Sequence, residues 1–168
     1  THAAGGVPRA PRPTSARSRP FCPAGVAHSP PPTQALSALP RLSTLKARCN
    51  LLHAALDFRP RGGSVLRHAE IGSNCIASLR GIEQHAQLES LRLENNCLRS
   101  LDGIQSLAHL ASLSAARNLI ADASAVAKLP LATLDLSRNF LTAPPELPPT
   151  VATLRLGHNR LTSAPDAA

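Results

Sequence analysis

The sequence predicts an α/β solenoid: six stacked repeats with a parallel β-sheet on the concave side, short helical or extended segments on the convex side, and an extended N-terminal tail. Three observations carry the prediction. One pattern of aliphatic residues and asparagine returns six times in phase. Aromatic residues make up 2% of the chain although 43% of it is hydrophobic, which calls for a thin, regular core of Leu, Ile, Val and Ala. The surplus of positive charge lies ahead of the repeats.

The repeat reads L-x-x-L-x-L-x-x-N-x-L, with Ala, Val or Ile in place of some leucines. Its copies start at Leu42, Leu66, Leu88, Leu110, Leu131 and Val151, spaced by 24, 22, 22, 21 and 20 residues. The third copy (Leu88, Leu91, Leu93, Asn96, Leu98) fits without substitution. Each L-x-L is a short strand whose leucines point inward and whose middle residue points outward. A single repeat cannot bury its apolar face, so the repeats must stack, which makes a parallel sheet. Asn50, Asn74, Asn96, Asn118, Asn139 and Asn159 recur at one place. Their amides are expected to satisfy backbone groups in the turn that leaves the strand, as a structural ladder.

At this point the chain resembles the leucine-rich-repeat superfamily over about residues 36–162. Residues 76–113 look most like its 22-residue class, the one known from phosphatase-regulatory and dynein-light-chain proteins. The matching text is I-A-S-L-R-G-I-E from Ile76 and L-R-S-L-D-G-I-Q from Leu98, with Gly81 and Gly103 in equivalent places. The resemblance implies a strand followed by a short helical convex side carrying Leu79 and Ile82, then Leu101 and Ile104. Two departures stand out. Residues 143–149 (Ala-Pro-Pro-Glu-Leu-Pro-Pro) cannot be helical, so the last convex side should be extended. The family's usual C-terminal cap is missing after Leu161, which reads as truncation or as coverage by another surface.

Residues 1–35 form a separate unit, a basic Pro/Arg-rich extended tail, followed by the solenoid over 36–168. The net charge is +8, yet Arg9, Arg12, Arg17, Arg19, Arg41, Lys46 and Arg48 all precede the first acidic residue, Asp57. Beyond Asp57 the charges nearly balance. Proline keeps such a tail extended, and Arg9, Arg12, Arg17 and Arg19 can each fork onto a phosphate or carboxylate. The tail is thus expected to anchor on RNA or on an acidic protein face.

On the solenoid, the outward strand positions should form the concave face. They include Lys46, Arg48, His68, Glu70, Arg92, Glu94, Asp135 and Arg155 among small hydroxyl residues. This face is polar, mixed in charge and without aromatic hot-spot residues, so it reads as a modest docking surface. The phosphatase-regulator class would imply an aromatic, acidic ridge there; this chain has none. Phosphate-loop, nucleophile-elbow and zinc-protease motifs are absent from the sequence, and the seven histidines are scattered. No enzyme, metal or cofactor is expected. The four cysteines make no C-x-x-C pair. Cys75 and Cys97 lie one repeat apart, side by side in a stacked solenoid where a disulfide is geometrically feasible, but the preferred reading is two reduced, half-buried thiols, which points to an intracellular home.

No run of eighteen apolar residues or secretory signal occurs, and the sequence contains no Met, so it reads as having lost its start. Together these features predict a non-catalytic structural subunit of a large assembly. The solenoid would contact other protein subunits and the tail an acidic surface. Acid-free Arg/Pro arms resemble those of ribosomal proteins, which points to an organellar, mitochondrial ribosome. The alternatives are an axonemal or cytoskeletal protein docking on tubulin or dynein, and a phosphatase-regulator-like adaptor.

Overall fold

The computed structural model describes residues 36–59 and 62–162. Six three-residue strands make one sheet: β1 (Thr44–Lys46), β2 (His68–Glu70), β3 (Ser90–Arg92), β4 (Ser112–Ser114), β5 (Thr133–Asp135) and β6 (Thr153–Arg155). They pair in parallel and in chain order, each with the next. The register is constant: Leu45, Ala69, Leu91, Leu113, Leu134 and Leu154 lie side by side. Alternation along a strand turns these middle residues inward. The four inner ones are buried, Leu45 is half-buried, and Leu154 at the open edge is 39% exposed.

The convex side returns the chain through single 3-10 turns at Ile82–Gln84, Ile104–Ser106 and Ser124–Val126. A repeat of about 22 residues leaves too little chain there for an α-helix, so the expected helical segment appears in its tighter, shorter form. Leu79, Ile82, Leu101 and Ile104 all reach the core from this side. The first two turns begin after Gly81 (φ 94°) and Gly103 (φ 102°). Both glycine N–H groups are held by a side-chain oxygen two residues on, from Glu83 at 2.9 Å and from Gln105 at 2.8 Å. The last convex stretch, with four prolines in residues 143–149, has no helical turn, and Leu147 packs from it against the core.

The asparagines join neighbouring repeats. Asn74, Asn96, Asn118, Asn139 and Asn159 each accept, through Oδ1, a backbone N–H of the preceding repeat: Leu52, Ile76, Leu98, Ile120 and Leu141, at 3.0–3.1 Å. Each Nδ2 donates to a carbonyl of its own repeat (Ile71, Leu93, Ala115, Leu136, Leu156). It donates as well to the equivalent carbonyl one repeat earlier (Ala47, Ile71, Leu93, Ala115, Leu136). Asn74, Asn96, Asn118 and Asn139 are buried, and every polar atom of their amides is thereby engaged. Asn50 is exposed and donates to Arg48 O, within its own repeat.

Just before each of these asparagines stands a residue in left-handed conformation: Cys49, Ser73, Asn95, Arg117, Arg138 and His158, with φ of 56–60°. A non-glycine residue pays about 1–2 kcal/mol for this. The bend aims the following amide into the stack, and the hydrogen bonds above offset its cost.

Candidate functional site: the concave face

The constant register lays the outward side chains in three parallel rows. The first holds Thr44, His68, Ser90, Ser112, Thr133 and Thr153; the second holds Lys46, Glu70, Arg92, Ser114, Asp135 and Arg155. The third, one residue past the second, holds Arg48, Gly72, Glu94, Ala116, Ser137 and Gly157.

Opposite charges meet along these rows. Lys46 Nζ lies 3.6 Å from Glu70 Oε1, and Arg155 NH1 lies 3.8 Å from Asp135 Oδ2. Arg48 NH1 approaches Glu94 Oε2 at 4.0 Å, spanning two repeats. That reach exists because Gly72 stands between them. A Cβ at Gly72 would come within 2.9 Å of Glu94 Oε2 and 3.0 Å of the Glu94 carbonyl oxygen. Glu94 Oε2 is itself buried, without a hydrogen bond among the described residues. A fourth pair, Arg67 with Glu89, flanks the sheet before β2 and β3. Exposed pairs of this kind add about 0–1 kcal/mol each, so they shape the surface more than they stabilise it.

Arg92 is the cation left over. It is exposed and makes no ion pair among the described residues. Beside it, strands β3–β5 carry Ser90, Ser112, Ser114 and Thr133, with Ala116 and Ser137 two residues past β4 and β5, all half-buried. The face is therefore neutralised toward both ends and floored in the middle by short hydroxyl side chains next to one open guanidinium. Such a floor lets a backbone approach closely and offers it donors and acceptors.

Two groups escaped the sequence reading. His85 is fully buried. Its Nε2 lies 3.0 Å from Leu56 O, a pure acceptor, so Nε2 carries the hydrogen. Nδ1 then accepts from Ser64 Oγ at 2.5 Å, and Phe58 packs on the ring at 4.7 Å between centroids. Burial lowers the His85 pKa below its usual 6.5, against the opposing pull of the Leu56 carbonyl. With one nitrogen on a backbone carbonyl and the ring sealed, Ser64 and His85 form a clasp holding the first convex loop, not a nucleophile with its base. Nothing in the spacing of the two residues marks them in sequence. The second group is the residue after each ladder asparagine, apolar in five of six repeats: Leu51, Cys75, Cys97, Leu119 and Phe140. That regularity was legible.

Cys97 is disulfide-bonded, which corrects the expectation of reduced thiols at both Cys75 and Cys97. Arg9, Arg12, Arg17 and Arg19 lie outside the described residues. Among the described residues no three His, Cys, Asp or Glu side chains converge on a metal-sized space, and no helix is long and apolar enough to cross a membrane.

No family model and no curated protein matches the chain. Solved structures do. An internalin of Listeria monocytogenes, InlF, superposes with a TM-score of 0.52 at 19% identity, covering 77% of this chain and 46% of that one. The functional domain of InlJ from the same organism, which includes a cysteine ladder, gives a TM-score of 0.57 at 18% identity, covering 75% and 32%. The chain thus spans less than half the length of either. At these identities the likeness concerns architecture. The parallel sheet in chain order, the repeat near 22 residues, the asparagine ladder and these neighbours give the chain the fold of a leucine-rich-repeat solenoid.

Proposed function

We propose that the chain is a non-catalytic scaffold whose concave face docks an extended segment of another protein across β3–β5. The observation that carries this reading is the short hydroxyl floor beside Arg92, between ion-paired ends. Strands of a solenoid form an extended, curved binding surface suited to such a partner. A carboxylate on the docked segment would give Arg92 the partner it lacks within the repeats.

At a finer level we infer a structural subunit of a large ribonucleoprotein assembly, an organellar, mitochondrial ribosome, with the tail on RNA. The support is the segregation of charge: seven cations and no anion before Asp57.

One experiment tests both levels. The intact chain is purified from its native source, with and without nuclease, alongside Arg92→Glu and Ser114→Arg variants. The scaffold reading expects both substitutions to lose protein partners at least about tenfold while the melting temperature stays unchanged, as surface substitutions do. Unaltered partners would overturn it. Ribosomal proteins that leave on nuclease treatment support the RNA-anchored subunit. Tubulin or dynein persisting through nuclease would replace it with the cytoskeletal reading.

A further inference from the structure

The last three repeats carry a second surface, on the flank where the chain turns out of the sheet. Each ladder asparagine there aims its amide into the stack, so the residues on either side of it open outward. The residue before it is Arg117, Arg138 or His158; the residue after it is Leu119, Phe140 or Arg160. Arg117 N–H donates to Ser137 O, Arg138 N–H to Gly157 O, Phe140 N–H to Ile120 O and Arg160 N–H to Leu141 O, at 2.8–2.9 Å. These bonds hold the two columns in register, one residue per repeat, at a spacing of about 4.8 Å.

The charge on this flank is one-sided. Arg117, Arg138, His158 and Arg160 are all exposed, and none makes an ion pair among the described residues. The row beside them is Ala116, Ser137 and Gly157, so no carboxylate faces them from the sheet. The backbone does not account for the arginines. Arg117, Arg138 and His158 are left-handed, with φ of 56°, 58° and 60°. The first three repeats put Cys49, Ser73 and Asn95 at this place, and Asn adopts the conformation far more readily than Arg. Beside the basic column the Arg160 guanidinium lies over the Phe140 ring, 4.4 Å from its centroid. The pair makes a flat cation–aromatic stack at the surface.

We propose that this flank binds a single-stranded polynucleotide, with Arg117 and Arg138 on successive phosphates and the Phe140–Arg160 stack as the platform for a base. Cations repeating without acidic partners suit a chain that carries a charge on every unit. Aromatic rings and guanidinium planes are the surfaces on which unpaired bases stack. An acidic peptide would meet the cations but has no planar ring for the stack. A membrane surface fits less well, because Leu119 and Phe140 are half-buried and do not project as interfacial anchors do. The site shares no residue with the hydroxyl floor beside Arg92 or with the basic tail, so it stands apart from what either of those binds.

The test uses the full chain with Arg9, Arg12, Arg17 and Arg19 changed to Ala, which removes the tail cations from the measurement. The probe is a labelled oligouridylate of about 12 nucleotides, followed by fluorescence anisotropy at about 50 mM salt. Arg117→Asn with Arg138→Asn keeps residues that accept the left-handed turn. It is expected to weaken binding about tenfold and to lower the log–log salt slope by about 1.4, the share of two single-strand phosphates. Phe140→Leu is expected to weaken binding at least about fivefold with the slope unchanged, because stacking carries no charge. Arg80→Ala with Lys128→Ala removes the same charge from exposed convex positions and should stay within about twofold. No binding by the tail-substituted chain would overturn the proposal. So would an equal loss in the convex control, which would report net charge alone. Polyglutamate competing as well as the oligonucleotide, with Phe140→Leu silent, would overturn it in favour of an acidic protein face.

Discussion

Asn96 accepts from Ile76 N–H and donates to Leu93 O and, one repeat earlier, to Ile71 O, all without access to water. Replacing it with Ala strands a buried N–H and opens a small void. The expected loss is about 2–4 kcal/mol, read as a shift of the urea midpoint. Asn50→Ala, at an exposed position bonded within its own repeat, should cost under about 0.5 kcal/mol. Equal costs at the two sites would refute the view that the ladder works by joining repeats. His85 supplies a test by pH. Burial holds its folded pKa below 6.5, so the unfolded chain binds the proton first as pH falls. Stability is therefore full above about pH 6.5, the unfolded value. It declines as pH drops toward the folded pKa. Urea melts between pH 7.5 and 5 should show this decline, and His85→Gln should flatten it while lowering stability at pH 7.5. A slope unchanged in the variant would mean that another group titrates.

The convex turns show how one local solution meets two environments. Gly81 and Gly103 share a positive φ and the same sequence place, but their surroundings differ. A Cβ at Gly81 would lie 2.9 Å from the Asp57 Cα, a backbone atom that cannot step aside. At Gly103 it would meet Ile82 Cγ2 at 3.5 Å, an ordinary contact. Gly103→Ala should thus cost the conformational penalty of about 1–2 kcal/mol, and Gly81→Ala clearly more, in parallel thermal melts. If the two melt alike, the first convex loop moves more easily than its packing implies. The turns themselves are single 3-10 turns because each convex crossing has few residues to spend. In the last crossing prolines exclude even that.

At the scale of the molecule the solenoid is nearly one-dimensional, each repeat touching its neighbours. Leu91, Leu93, Leu113 and Leu136 are fully buried between repeats, whereas Leu154 and Leu161 at the last repeat are each 39% exposed. Leu93→Ala should cost about 2–5 kcal/mol and Leu154→Ala about 1 kcal/mol, measured by chemical denaturation. Hydrogen exchange should be slowest at β3 and β4 and faster toward β1 and β6. Uniform protection would indicate one all-or-none unit with no fraying at the ends.

What the sequence determined by itself was the architecture, because a stacked fold writes its period directly into the chain. The Leu and Asn positions gave the strands, their inward faces and the rows of the concave surface. The extended last crossing followed from proline chemistry alone. What tertiary structure decided depends on residues far apart in sequence. Gly72 lets Arg48 reach Glu94 across an intervening repeat, so on the concave rows Arg92 remains the cation with no ion pair among the described residues. The asparagine amides bridge to the preceding repeat as well as closing their own turns. His85 and Ser64 meet across a convex loop whose path no local signal predicts. Pattern fixes which way a side chain points, but its partner is set by how neighbouring turns stack, a distance that sequence spacing does not encode.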